Sequence, residues 1–389
     1  MKKNLAYIGL VLLILTWTSC ESSDNEFPDF DYQTVYFANQ YGLRTIELGE
    51  SEFVDNTLDN QHKMIIKAAW GGGYTNRNNV VINFKVDESL CDNLYFKDTD
   101  QPLVPMPASY YTLASDRIAI PKGQIMAGVE VQLTDDFFAD EKSISENYVI
   151  PLLMTNVQGA DSILQGKPVV ENPVLTNAGD WSILPQNFVL YAVKYVNPWH
   201  GEYLRRGIDH ATVAGTSKDI IRHEQFVEND EVVNISTKSM KDNLLTLKTK
   251  DESGKDISYT VRLSFAEDGS CTVHSGSQNV VVSGSGKFVS KGEKNSLGGK
   301  DRNAIYLDYT VNLTDNNIQL ATKDTLVLRT RNVYGGKSLE VVKVGNKGSA
   351  GALLTQRYPQ FVLPSKCQEC FHIALGIIHG MMGMLRNFQ

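Results

Sequence analysis

The sequence contains few cysteines and fewer basic than acidic residues. Its five cysteines are spread along 389 residues and do not have the spacing of a disulfide framework. Two of them, Cys91 and Cys271, are predicted to be buried as small apolar side chains. The 37 lysines and arginines against 45 aspartates and glutamates give a net charge of −8. An acidic chain without a basic stripe argues against nucleic acid as a partner.

Catalytic and metal-binding motifs are also missing from the sequence. No G-x-S-x-G nucleophile motif occurs. A pair of carboxylates for glycoside hydrolysis cannot be assigned, because that chemistry depends on their separation in space. Cys367 and Cys370, with His372 two residues on, have the spacing of half a zinc site, and His379 is the only other nearby donor. We therefore predict a protein with no catalytic residues, no cofactor and no metal.

The first 20 residues are built like a bacterial lipoprotein signal. Two lysines precede an apolar run from Leu5 to Leu15, which is shorter than the roughly 20 residues of a spanning helix. Small residues stand directly before Cys20, although Trp17 occupies the place where leucine is usual. We predict a signal peptide at residues 1–19 and a lipid anchor on Cys20. An ordinary secretory signal with an incidental cysteine is the alternative.

The segment after Cys20 is polar and acidic. Residues 21–26 read Glu-Ser-Ser-Asp-Asn-Glu. We assign residues 20–30 to an acidic tether, which resembles the export tag that sends Bacteroidetes lipoproteins to the outer face of the outer membrane. A solvated linker that happens to be acidic is the alternative.

From residue 31 onward the pattern is typical of short β-strands. Ile82, Phe84 and Val86 alternate with polar residues, and other runs of β-formers end at turn residues such as Gly71 to Gly73. About seven such strands predict an antiparallel immunoglobulin-like sandwich over residues 31–165.

Several motifs in this region occur in a recognisable order. They are Tyr36 to Gln40, Leu58 to Asn60, His62-Lys63, Tyr110 to Leu113, Ile120 to Gly123, Val129 to Leu133 and Tyr148 to Leu152. Together they resemble the N-terminal domain of Bacteroidetes surface lipoproteins from glycan-utilisation loci, a family of unknown function. The resemblance implies an immunoglobulin-like fold, binding of polysaccharide at the cell surface, and a glycan importer with its lid lipoprotein as partners. It implies no catalytic residues.

A second β-rich domain follows a segment rich in proline, glycine and asparagine. We assign residues 166–187 to a linker and 188–364 to an antiparallel barrel of eight or so strands, with a second sandwich as the alternative. Trp199 to Tyr203 resembles the start of lipocalin-like barrels, where an early aromatic plugs the bottom. Residues 365–389 form an atypical tail, which is either a C-terminal helix or sequence outside the domain's normal end.

A sugar-binding protein needs exposed aromatic rings and polar side chains for hydroxyl groups. The first candidate is the cluster around the glycine turn at residues 71–73, and the second is at the start of the barrel. The predicted ligand-binding residues are Trp70, Tyr74, Asn76, Arg77 and Asn78 at the first, and Trp199 with Tyr203 at the second. The competing interpretations place Trp70 in the core and make Trp199 the barrel plug.

The overall prediction is a lipid-anchored all-β protein of the outer-membrane surface that binds polysaccharide or oligosaccharide without cleaving it. A glycoside hydrolase with carboxylates in the second domain is one alternative. An adhesin or structural surface protein that recognises protein is the other.

Overall fold

The structure is a computed structural model that describes residues 32–51, 54–333 and 339–343. The predicted signal peptide, Cys20, the acidic tether and the tail at 365–389 lie outside the described residues. The strands before residue 197 are β1 (Thr34–Tyr36), β2 (Tyr41–Glu47), β3 (Lys63–Gly71), β4 (Val80–Val86), β5 (Leu94–Phe96), β6 (Val104–Pro105), β7 (Tyr111–Leu113), β8 (Arg117–Ile120), β9 (Met126–Leu133), β10 (Tyr148–Gln158), β11 (Ser162–Ile163), β12 (Lys167–Pro168), β13 (Trp181–Ile183) and β14 (Phe188–Val196). Two short α-helices, α1 (Thr57–Asn60) and α2 (Asp135–Ala139), lie between them.

The first domain is a sandwich of two sheets. One sheet has the order β11-β1-β3-β9-β7, and the other has the order β2-β14-β10-β4-β8 with β6 on β10. Buried and outward-facing side chains alternate along these strands because every second side chain points into the space between the sheets. In β4, for example, Val80, Ile82 and Phe84 face the core, and the residues between them face outward. The predicted all-β class and two-sheet sandwich are confirmed.

The strand β14 belongs to this sandwich, although the sequence analysis placed it in the second domain. It pairs antiparallel with β10 and parallel with β2. Its apolar run is nearly continuous because both of its faces are covered. Val189 and Val193 face the main core, whereas Phe188 and Leu190 face a smaller core on the other side of the sheet. The predicted domain boundary at residue 188 therefore separates β14 from the sheet to which it belongs.

The chain returns to the sandwich after the barrel. The strand β24 (Val341–Lys343) pairs with β5, and Leu339 packs in the smaller core. These residues were assigned to the barrel domain by the sequence analysis. The segment predicted as a linker at 166–187 also holds structure, since β12 and β13 pair there.

The second domain is a closed antiparallel barrel. Its strands are β15 (Gly201–Val213), β16 (Thr216–Arg222), β17 (Glu231–Thr237), β18 (Asp242–Lys250), β19 (Asp256–Phe265), β20 (Ser270–Ser275), β21 (Val280–Glu293), β22 (Arg302–Leu313) and β23 (Ile318–Thr330). Strands β17 to β23 each pair with the next, and β23 pairs with β15 along its length. The first part of β15 pairs with β17 and the second part with β16. Because β15 and β23 close the sheet, the domain is the predicted barrel and not a second sandwich.

Two described cysteines are free and buried, as predicted. Cys91 packs in the smaller core of the sandwich, and Cys271 packs in the core of the barrel. Burial raises the pKa of each thiol to about 12. Both therefore remain protonated and act as small apolar side chains.

One arginine joins the two domains. Arg331 follows β23, and its guanidinium donates to four backbone carbonyl oxygens, those of Leu48, Glu50, Asn197 and His200, at 2.7–3.0 Å. Its side chain is nearly covered, with 7% exposed. The guanidinium thus connects the end of the barrel to the loop after β2 and to the chain between the domains.

Candidate functional site

Trp70 is a core residue, so the prediction that it stacks on a sugar is wrong. Along β3 it shares a face with Met64, Ile66 and Ala68, and all four point into the sandwich. Only 3% of Trp70 is exposed. The competing interpretation, a tryptophan that ends a strand in the core, describes the structure.

Asn76 is also structural. Its side-chain amide donates to the carbonyl oxygens of Pro121 and Gln124 at 3.2 and 3.0 Å, and its oxygen accepts from the amide of Asn78 at 3.0 Å. These bonds hold the loop after the glycine turn against the connection between β8 and β9. Asn76 is fully buried and cannot bind a ligand, whereas Arg77 and Asn78 are exposed.

The second predicted cluster lies inside the barrel end. The ring of Trp199 stacks on Phe265 with centroids 4.2 Å apart and planes inclined by 8°. Tyr203 is fully buried and donates from its hydroxyl to the carbonyl oxygen of Trp199 at 2.9 Å. Tyr203 therefore presents no ring face, and Trp199 packs one face of its partly buried ring on Phe265, as the competing plug interpretation describes.

The aromatic surface that remains is at the glycine turn. Tyr74 is 69% exposed and Tyr32 is 57% exposed. A β-carbon on Gly71 would lie 3.1 Å from the ring of Tyr36, and one on Gly72 would lie 2.4 Å from the backbone oxygen of Tyr32. Glycine is therefore required at residues 71 and 72, where the turn passes close to the ring of Tyr36 and to the backbone of Tyr32. We call residues Tyr32, Tyr36, Gly71 to Tyr74 and Arg77 the tyrosine turn.

A cleft of about 510 Å³ lies beside the earlier part of β3, with Met64 to Ala68 in its wall. It exists because β1 pairs only with Ala69 to Gly71, so the earlier part of that edge of β3 borders open space instead of a strand. Strands rise about 3.3 Å per residue, so the turn begins about 10 Å from Ala68 in the cleft wall. We call this space the sandwich cleft.

The walls of the sandwich cleft combine apolar side chains with polar and charged ones. The exposed apolar side chains are Val54, Leu58, Ile65 and Met126, and the polar or charged groups include Asn39, Arg44, Thr45, Asp55, Lys67 and Tyr191. Its volume lies within the range of about 300–1,000 Å³ that is usual for small-molecule sites.

Two carboxylates lie at the floor of the sandwich cleft. Asp59 forms an ion pair with Arg44 and accepts from the backbone amide of Glu47 at 2.9 Å. Burial raises the pKa of Asp59, against the opposing effect of that amide and of Arg44. Burial also raises the pKa of Glu47, against the opposing effect of Arg331.

The residues of the sandwich cleft were not identified from sequence. Arg44, Asp59 and Lys67 come from β2, α1 and β3, and no spacing along the chain links them. Of the two exposed tyrosines, Tyr74 was among the predicted ligand-binding residues and Tyr32 was not.

Within residues 32–51, 54–333 and 339–343, no group of three or more His, Cys, Asp or Glu side chains is arranged to hold a metal ion. The same described ranges contain no helix with the length and apolar character to cross a membrane.

The fold and cleft define a two-domain all-β protein, a sandwich joined to a closed barrel. The eight strands of the closed ring are β15 and β17 to β23. A domain of unknown function, DUF5627, matches residues 198–332, and a family described as an N-terminal domain matches residues 30–161. A crystal structure from Bacteroides ovatus, of a protein of unknown function, is 99% identical, with all of that chain and 81% of this one covered and a TM-score of 0.80. The chain belongs to the same family as that Bacteroides ovatus protein.

More distant solved structures share less. An auxiliary nutrient binding protein from Bacteroides thetaiotaomicron is 15% identical over 74% of this chain and 90% of its own, with a TM-score of 0.33. A Bacteroides ovatus protein described provisionally as carbohydrate binding is 11% identical over 80% of this chain and 98% of its own, with a TM-score of 0.25. No curated protein matches the sequence.

Proposed function

We propose that this chain is a non-catalytic surface lipoprotein of a glycan-utilisation system, and that it binds polysaccharide at the sandwich cleft and the tyrosine turn. The observation that supports this most directly is that both border β3, with the turn about 10 Å from Ala68 in the cleft wall. The cleft and the exposed tyrosines could therefore contact successive rings of one extended sugar chain.

The chemistry of the two parts suits a polysaccharide. The apolar face of a sugar ring can stack on a tyrosine such as Tyr74, whose ring is rigid and has a polar end. Arg44, Asn39 and Thr45 in the cleft can exchange hydrogen bonds with hydroxyl groups. Because Arg44 is already oriented by Asp59, its donors are held in place before a ligand arrives.

Removal of the Tyr74 ring is expected to weaken binding. We expect Tyr74→Ala to reduce the affinity for the bound polysaccharide about tenfold, or about 1.4 kcal/mol, because a stacking surface is lost. The measurement is affinity electrophoresis of residues 21–389, the mature chain without its lipidated cysteine, through gels that contain plant, microbial or host polysaccharides. Phe226→Ala is the matched control, since Phe226 is 54% exposed on the barrel.

Each outcome of that experiment has a meaning. Retardation that is lost in Tyr74→Ala and kept in Phe226→Ala supports the site. Retardation that Tyr74→Ala leaves unchanged contradicts the site, and the absence of retardation by any polymer, for folded protein, contradicts glycan binding altogether. An adhesin that recognises host protein would then be the better hypothesis.

One observation favours a glycoside hydrolase as the second candidate. Glu47 and Asp59 both line the sandwich cleft, and burial raises the pKa of each. A carboxyl group with a raised pKa is what a general acid requires. Release of reducing sugar from a retarded polymer, abolished in Asp59→Asn, would establish the hydrolase and contradict the non-catalytic proposal.

The proposed lipid anchor rests on Cys20. We expect the full chain, expressed in a Bacteroides host, to incorporate labelled fatty acid and to partition with the outer membrane. Cys20→Ser is expected to lose the label and to leave the membrane, because no acyl chain then holds the protein there. Cys91→Ser, at a buried thiol, is the control that should retain the label. Membrane retention of unlabelled Cys20→Ser protein would contradict the anchor.

A further inference from the structure

A second cleft lies between the two domains. It has a volume of about 660 Å³ and is lined by Gly49, Glu50, Ser51, Asn56 and Asn60 from the sandwich and by Lys291, Lys300, Asp301 and Asn303 from the barrel. Apart from the glycine, every residue in this lining has a polar or charged side chain. We call it the junction cleft, and its composition contrasts with the apolar walls of the sandwich cleft.

The barrel side of the junction cleft is locally basic. Residues 287–302, where β21 turns into β22, contain five cations and only two carboxylates, in a chain whose net charge is −8. A cluster of this sign in an acidic protein concentrates positive potential at one place on the surface.

The carboxylates around this cleft already have partners. Asp301 pairs with Lys294 at 2.9 Å and accepts from the amide of Asn295, and these interactions lower its pKa. Glu50 accepts from the hydroxyl of Ser290 at 2.9 Å and, more weakly, from the amide of Asn303 at 3.4 Å. The charge of Asp301 is therefore compensated by Lys294, whereas Glu50 is held by neutral donors.

Unlike Asp301, the two lysines that line the cleft are not in ion pairs with described residues. Among the described residues, no carboxylate forms an ion pair with the ammonium group of Lys291 or Lys300. Their backbone is nevertheless held in place. The amide of Lys291 donates to Asn303 at 2.8 Å, and its φ is 51°. Gly298 and Gly299 adopt φ of 66° and 67° in the turn that leads to Lys300.

We propose that the junction cleft is a binding site for an anionic oligosaccharide, in which Lys291 and Lys300 bind the carboxylate or sulfate of a sugar residue. The remaining polar side chains are three amides, a hydroxyl and two carboxylates, which are partners for sugar hydroxyl groups. Among the described residues, no apolar side chain lines the cleft. This site is distinct from the sandwich cleft and goes beyond the proposed function, because it needs neither Tyr74 nor the cleft beside β3.

The test measures binding of two anionic probes to the mature chain by isothermal titration calorimetry. Oligogalacturonate carries carboxylates, chondroitin sulfate oligosaccharide carries sulfates as well, and a neutral dextran oligosaccharide serves as the reference. The variant is Lys291→Gln with Lys300→Gln. The matched control is Lys218→Gln with Lys248→Gln, which removes the same charge from exposed positions on β16 and β18.

We expect at least one anionic probe to bind and the neutral probe not to compete. The cleft variant is expected to lose about tenfold in affinity. The control variant is expected to change by less than about twofold, and added salt is expected to weaken binding in the parent. The probe that binds identifies the anionic group, since oligogalacturonate contains no sulfate.

Two results would overturn the proposal. One is the absence of binding by either anionic probe to folded parent protein. The other is an equal loss in the cleft and control variants, which would indicate attraction by net charge only. Tyr74→Ala separates the two sites, because it should leave anionic binding intact whether or not the sandwich cleft binds a polysaccharide. If a folding defect of the double variant is seen by circular dichroism, Lys300→Gln alone decides the same comparison.

Discussion

Replacement of Asp324 by alanine is expected to destabilise the barrel by about 3–5 kcal/mol, the usual cost of removing one partner from a buried ion pair. The Asp324 side chain is completely buried. It accepts from Arg205 at 2.9 Å, from Arg222 at 2.7 Å and from the hydroxyl of Tyr309 at 2.9 Å. The substitution would leave three donors, two of them charged, without this acceptor.

The position of these groups in the barrel explains the size of the effect. Arg205 lies on an inward position of β15 with 1% of its side chain exposed. Arg222 also pairs with Asp209, which accepts in turn from the hydroxyl of Thr322 at 2.7 Å. Water cannot readily replace the lost carboxylate in so enclosed a place, so the guanidinium of Arg205 would remain desolvated.

The matched control is Asp308→Ala. Asp308 lies on the neighbouring strand, pairs with Lys323 at 3.4 Å and is 69% exposed. Exposed pairs of this kind contribute about 0–1 kcal/mol, so the free energy of unfolding of the control should be close to that of the parent. Chemical denaturation followed by tryptophan fluorescence measures both free energies. If Asp324→Ala lowers the free energy of unfolding by less than about 1 kcal/mol, the ion-pair cluster around Asp324 does not have a structural role.

Arg331→Ala is expected to weaken the junction between the domains by about 2–4 kcal/mol, since hydrogen bonds from a charged donor contribute about 1.5–3 kcal/mol each and are not additive. The four carbonyl oxygens that Arg331 binds lie at the end of β2 and between the domains. We expect the parent to unfold in one transition and the variant in two, because the barrel no longer supports the loop after β2.

This destabilisation should depend on pH. Burial raises the pKa of Glu47 and Arg331 opposes that effect, with the two charged groups 3.9 Å apart. Without the guanidinium the pKa of Glu47 rises further, so its ionised form becomes more costly to bury. A raised folded-state pKa gives stability that is present at low pH and is lost as pH rises through it. The deficit of Arg331→Ala should therefore be larger at about pH 7 than at about pH 5.

Arg329→Ala is the control for the junction. Arg329 lies on β23 two residues before Arg331, has a side chain that is 50% exposed and lies 3.7 Å from Glu202. We expect Arg329→Ala to lower the free energy of unfolding by less than about 1 kcal/mol and to unfold in a single transition. Scanning calorimetry at the two pH values measures all three proteins. Identical behaviour of Arg329→Ala and Arg331→Ala would mean that Arg331 does not couple the domains.

Some features of the fold could be predicted because they depend on local pattern. The period-two alternation in β4 marks one face of a half-buried strand, whatever its partner. The burial of Cys91 and Cys271 follows from the apolar character of an unpaired cysteine side chain. Alternation along β3 also places Trp70 on the face of Ile66 and Ala68, so the local pattern favours the core position that the structure shows.

Other features depended on pairs of residues far apart in the chain. The apolar run of β14 predicts a strand buried on both faces, but it does not say which sheet the strand joins. That choice depends on hydrogen bonds to β2, which begins almost 150 residues earlier. In the same way the sandwich cleft exists only because β1 is shorter than the strand it borders.

The sequence by itself determined the all-β class and the inward face of strands such as β4, because both depend on side-chain alternation over a few neighbouring residues, whereas closure of the barrel depends on the pairing of β15 with β23. Only the tertiary structure decided that β14 completes the sandwich, that Arg331 joins the domains and that Lys291 and Lys300 meet the loop after β2 in one cleft. These features arise where sheets and domains meet, and their energies depend on burial and on partners that no local pattern specifies.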